Sequence, residues 1–164
     1  MEKTEIVKQA DILFSSSNFL GRETTPPIKP NMFNILVTAI SIPVVSEWTT
    51  AKSEYLVFNC LDSCLGLIAL SKDKSHLLGY HFSIDFEKIE EIKAQVDSII
   101  DKLKKEQYNF FSFGGSQKDW IQLIKVNLTG VKSIEDDANQ YNWYFSIKNN
   151  KIDPYKWKTP NQKN

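Results

Sequence analysis

Both cysteines and both histidines of this 164-residue chain fall between positions 60 and 81, as Cys60, Cys64, His76 and His81. Residues of these types, gathered so closely, fit three chemistries. They can ligate a metal, they can pair a thiol nucleophile with an imidazole base, or they can be the incidental polar content of a buried hairpin.

The intervals between them, three, eleven and four residues, come close to the zinc template of two cysteines and two histidines. That template needs a helix to carry its histidines. Here the segment before them, LIALSKDKS, reads as a strand and a polar turn, and Leu78, Tyr80 and Phe82 continue a strand-like alternation around Gly79. On a strand, His76 and His81 differ by an odd number of residues and point to opposite faces. No metal and no cofactor is expected.

A cysteine nucleophile needs a base within hydrogen-bond reach, a group that orients the base, and donors for the oxyanion. If Cys64 opens one strand and His81 lies near the end of its antiparallel neighbour, the turn at residues 72–75 brings the two side by side. A nearby imidazolium would then favour the thiolate at neutral pH. Oxyanion donors are expected either where the chain turns at Asp62, Ser63 and Cys64, or in the loop Gly114, Gly115, Ser116, where small residues let backbone N–H groups face a substrate. Each residue also has a plainer reading: Cys64 as a small buried apolar group, His81 as a satisfied sheet histidine, the glycine pair as a tight turn.

The elements that must position these residues follow from hydrophobic periodicity. Apolar or alternating runs predict strands at 35–42, 54–60, 64–71 and 76–84, the last two forming a hairpin around SKDKS. From Asp85 the period lengthens: Phe86, Ile89, Ile92, Val96, Ile99, Ile100 and Leu103 recur at helical spacing, with Asp85 as N-cap, acidic residues in the first turn and lysines in the last. A short aromatic strand, YNFFSF, follows. Then come the Gly114–Gly115 turn, a second short helix over QKDWIQLIKVNL, and a closing hairpin around Asn149 and Asn150. Residues 1–14 form a short helix or an arm. With three prolines at 26, 27 and 30, the stretch to residue 31 reads as an irregular N-terminal arm, and 158–164 as a polar tail. The expected architecture is one α+β domain over 1–164, a layered sandwich of mostly antiparallel sheet with one long amphipathic helix.

Formal net charge is zero, with 20 basic and 20 acidic residues intermixed, so no nucleic-acid or anionic-lipid partner is expected. Two cysteines are too few for a disulfide framework. The N-terminus lacks a basic start followed by a long apolar core, and the most apolar run, ILVTAISIPVV, is too short to span a membrane and holds Pro43. A cytoplasmic location is expected, or secretion into a host cell without a cleaved signal.

The segment LDSCLGLIAL resembles the cysteine motif of the chemoreceptor glutamine deamidase CheD, in which the cysteine begins an apolar strand. His81 follows at the family's separation, in GYHFSI. The amphipathic helix, FFSFGGSQ, another helix and the hairpin YFSIKNNKI continue the likeness in order over residues 54–153. It is a likeness to the superfamily that joins CheD with the catalytic domain of cytotoxic necrotizing factor. The resemblance implies an α/β/β sandwich that hydrolyses glutamine side chains of a folded protein. In it, Cys64 is the nucleophile, His81 the general base and acid, and Cys60 a structural residue. The family's threonine six residues before the cysteine is replaced here by Phe58. Some relatives use a backbone carbonyl to hold the histidine, and the candidates for that task are the Phe58 carbonyl, Asn59, Ser83 and Ser112.

The implied partner is a protein bearing a surface glutamine, in the manner of a bacterial effector or toxin, with 15–31, Trp48, the SKDKS turn and Trp120 as candidate specificity elements. A non-catalytic binding module on the same fold, or another cysteine hydrolase or transglutaminase, stands as the alternative. Oligomeric state is not readable from the sequence.

Overall fold

The computed structural model describes residues 2–15, 34–35, 42–59, 61, 63–115, 117–134 and 141–160. Its strands are β1 (Asn34–Ile35), β2 (Val44–Val45), β3 (Thr49–Ser53), β4 (Tyr55–Phe58), β5 (Leu65–Leu70), β6 (Leu77–Phe82), β7 (Asn109–Phe113), β8 (Lys132–Ser133), β9 (Asn142–Lys148) and β10 (Lys151–Trp157). Helix α1 spans Lys3–Phe14, α2 spans Ile89–Lys105 behind a 3-10 turn at Phe86–Lys88, and α3 (Gln117–Asp119) runs into a π-helical turn at Trp120–Ile124.

The strands build two sheets: six strands in the order β1-β3-β6-β5-β7-β8, and four in the order β10-β9-β4-β2. Pairing is antiparallel except at β1/β3, β2/β4 and β7/β8. Strand β5 sits centrally with every residue buried, which is why LGLIAL reads as an unbroken apolar run. Its residues alternate between two cores. Leu65, Leu67 and Ala69 meet Ile92, Val96, Ile99 and Leu103 of α2, while Ile68 and Leu70 meet Phe58 and Phe145 of the second sheet. The amphipathic period of α2 therefore closes one face of the six-stranded sheet, and the four-stranded sheet closes the other. This is an α+β sandwich, as expected.

Between the sheets, Phe113 stacks edge-on with Phe58 and Phe145 at centroid distances of 4.8 and 4.7 Å. This packing needs glycine at position 66. A Cβ there would lie 2.4 Å from the Phe113 ring, inside any real contact distance.

Other parts of the sequence reading meet the structure unevenly. Asn149 and Asn150 both adopt left-handed backbone, with φ of 53° and 59°, the geometry of a two-residue type I′ turn joining β9 to β10. Pro154 lies in β10, an edge strand, where a missing N–H is tolerated. Asp85 caps the 3-10 turn, accepting from the Glu87 N–H, and that turn carries Phe86 out to 68% exposure instead of onto the apolar face. Of the two forms expected for residues 1–14, a short helix or an arm, Lys3–Phe14 takes the helix. Ile6 and Ala10 pack on Val44, Val57, Tyr144 and Trp157, and the Trp157 indole donates to Asp11 at 2.8 Å. That contact adds a layer on the outer face of the four-stranded sheet which the expected α/β/β arrangement lacked. Residues 16–33, most of the strand expected at 35–42, Cys60, Asp62, Ser116 and the last four residues of the tail lie outside the described residues.

Candidate active site

The hairpin register decides which polar residues meet. In β5/β6, Gly66 stands opposite His81 and Leu65 opposite Phe82, so Cys64, two residues before Gly66, shares the face of His81 and lies diagonally across from it. The Cys64 sulfur, a ring nitrogen of His81 and a carboxylate oxygen of Glu47 all fall within 4.8 Å of one another. The thiol donates towards Glu47 Oε1 at 3.7 Å.

His81 is fully buried. Its Nδ1 sits 3.1 Å from the Val45 carbonyl oxygen. A carbonyl only accepts, so Nδ1 carries the proton and Nε2 presents a lone pair. Nε2 is buried with no hydrogen-bond partner among the described residues. Burial lowers the His81 pKa to about 4, against a smaller opposing effect of the Val45 carbonyl. The expected imidazolium is therefore disfavoured. The imidazole rests neutral, with Nε2 able to accept a proton.

A single short segment, Val45–Trp48, supplies the surroundings. The Thr49 hydroxyl donates to the Ser46 carbonyl at 2.7 Å and accepts from the Ser46 N–H at 2.9 Å, tying off the turn. Trp48 adopts left-handed backbone with φ of 59°, which a bulky residue takes only when surrounding contacts hold it. Its N–H donates to the His81 carbonyl at 2.7 Å and its indole to Ser83 Oγ at 2.7 Å. The chain direction thus imposed places Glu47 beside Cys64.

The Cys64 segment is held from three sides. Leu61 N–H donates to the Tyr141 carbonyl, Gly115 N–H donates to the Leu61 carbonyl at 2.8 Å, and the Trp120 indole donates to the Ser63 carbonyl at 3.0 Å. Gly114 packs so closely that a Cβ would lie 2.7 Å from the Cys64 carbonyl oxygen, and its φ of 106° suits glycine alone.

Cys64 and His81 are brought together. The group that orients His81 is the Val45 carbonyl, in place of the Phe58 carbonyl, Asn59, Ser83 or Ser112. Phe58 offers its ring, 6.2 Å from the imidazole. Ser112 Oγ donates to Gln117 Oε1, Ser83 accepts from Trp48, and Asn59 is buried with Oδ1 unpartnered among the described residues. Gly114 and Gly115 buttress the Cys64 segment, and the Gly115 N–H, engaged by Leu61, is not an oxyanion donor. Ser63 is exposed at the rim. Trp48 and Trp120 are core residues, at 4% and 0% exposure, and not surface specificity elements. His76 sits at the far, turn end of β6, with Nε2 2.9 Å from the Tyr108 hydroxyl and Nδ1 3.1 Å from Ser75 Oγ.

Sequence reasoning missed Val45 and Glu47. Val45 acts through its backbone, which no side-chain pattern reveals. Glu47 is one of 20 acidic residues, in a run, SEWTT, with no motif spacing to the cysteine. No family model matches the chain, and no curated protein matches it significantly. No helix among the described residues is long and apolar enough to cross a membrane.

Proposed function

We propose that this chain is a cysteine-dependent amidohydrolase that converts a glutamine of a protein target to glutamate. The observation that carries the reading is the convergence of Cys64 with a neutral His81 held in one tautomer by the Val45 carbonyl. The resemblance of residues 54–153 to the CheD and cytotoxic necrotizing factor superfamily supplies the substrate class. A carbonyl-held histidine agrees with those relatives that use a backbone oxygen where others have threonine.

In this mechanism His81 Nε2 takes the Cys64 proton as the sulfur attacks the carboxamide carbon. Backbone N–H groups at the bend that carries Cys64 stabilise the oxyanion. The tetrahedral intermediate collapses as Nε2–H protonates the departing amine, which leaves as ammonia, and a thioester remains. Water then attacks, giving its proton to Nε2, and collapse returns the thiol and releases the glutamate side chain. An amine in place of water would give transamidation.

Burial favours a second reading, a protein-binding module on the same fold. Cys64 is 5% exposed and His81 fully buried, while Ser63 beside the sulfur is exposed and Glu47 half-buried. One experiment separates the two. Wild type and Cys64→Ala are incubated with candidate lysates, and glutamines that gain the mass difference between amide and acid are sought by mass spectrometry. Sites that appear only with wild type establish the deamidase and name its target. A lack of sites in every lysate, with Cys64 unreactive to iodoacetamide, points to the binding module.

A further inference from the structure

The structure assigns to Glu47, Cys64 and His81 a second capacity: a three-ligand site for a zinc-class divalent cation, in which bound metal occupies the sulfur and withholds it from reaction.

Three observations carry it. The donor atoms belong to three different ligand types and converge within 4.8 Å. A tetrahedral zinc with ordinary bond lengths to sulfur and oxygen sets those two atoms about 3.6 Å apart, and Cys64 Sγ lies 3.7 Å from Glu47 Oε1. His81 supplies the independent sign. Its Nε2 is buried and unpartnered among the described residues, which is costly for a lone pair unless a proton or a metal meets it. Its Nδ1–H is anchored on the Val45 carbonyl at 3.1 Å, and histidines that ligate metals almost always donate their other N–H to such a partner.

Three protein ligands leave a fourth position, and half-buried Glu47 places it on the solvent side. Binding exchanges the thiol proton for the metal: one S–H bond is lost, one metal–sulfur bond forms, and one proton is released to solvent. Thiolate and imidazole select zinc over hard cations, which prefer oxygen alone. These are not the ligands that spacing alone proposed, for His76 lies at the other end of β6 and Glu47 takes part.

Whether metal silences turnover rests on the deamidase reading, but metal binding does not, so it is measured without substrate. Metal-free protein is titrated with zinc by calorimetry, and with cobalt while a sulfur-to-cobalt charge-transfer band is followed. Alkylation of Cys64 by iodoacetamide is read by fragment mass spectrometry, which scores Cys60 separately. The expected result is one zinc per chain, a charge-transfer band lost in Cys64→Ser, and zinc protection of Cys64 that a chelator reverses and that magnesium and calcium do not reproduce. His81→Gln should weaken binding by more than the roughly 10–100-fold typical of an outer-sphere partner. Equal affinity in Cys64→Ser, no charge-transfer band, or no binding overturns the proposal. A metal site found in a protein that deamidates nothing would sink only the deamidase reading.

Discussion

The Nδ1 atom of His81, on the six-stranded sheet, meets the carbonyl oxygen of Val45, on the four-stranded sheet, at 3.1 Å. A backbone group of one layer therefore fixes the tautomer of a histidine on the other, and the ring is held so only while the two sheets stay packed. Replacing His81 with glutamine keeps a donor for Val45 but removes the base. Activity on a glutamine substrate should fall by at least about a hundredfold, with a loss of about 1–3 kcal/mol in urea unfolding. Retained turnover in a folded His81→Gln protein would refute the role of the imidazole.

Stability should depend on acid through the same residue. The folded-state pKa of His81 is lowered from 6.5 to about 4, so between these values the unfolded chain binds a proton that the folded chain does not. The contribution is fully present above pH 6.5 and is lost as pH falls through 4, amounting to about 3 kcal/mol. Urea titrations across that window should show a steeper decline for wild type than for His81→Gln. Parallel curves would mean that the ring is not held neutral.

The Cys64 thiol donates towards Glu47 Oε1 at 3.7 Å, and a negative charge placed there opposes formation of the thiolate. Glu47→Gln should therefore raise the alkylation rate of Cys64 at neutral pH by about three- to tenfold. A slower reaction would instead make Glu47 a proton acceptor that assists the thiol.

At Gly66 the contact with Phe113 leaves no room for a methyl group. Gly66→Ala should cost about 1–3 kcal/mol through forced repacking, with much of the loss recovered when Phe113→Leu is added. Additive losses in the double-mutant comparison would show that the two sites do not communicate.

Local rules carried the sequence reading a long way. The β5/β6 hairpin was legible from SKDKS between apolar runs, α2 from its apolar period, and the β9/β10 turn from Asn149 and Asn150, because each is fixed by residues close in the chain. The Cys64–His81 pairing came with the hairpin, since its turn sets the cross-strand register. Phe86 escaped the same logic: its spacing suits α2, but Asp85 caps a 3-10 turn that ends the regular period one residue before Ile89.

What the sequence determined by itself is thus the α+β class, the long helix and the cross-strand meeting of Cys64 with His81. Tertiary structure alone decided what surrounds them. Val45 and Glu47 reach the pair from a turn far away in the chain, held by Thr49 and the left-handed Trp48 and placed by the packing of one sheet on the other. A backbone carbonyl has no residue type and a lone glutamate no period. The contacts that orient the imidazole and face the sulfur exist only once the two layers meet.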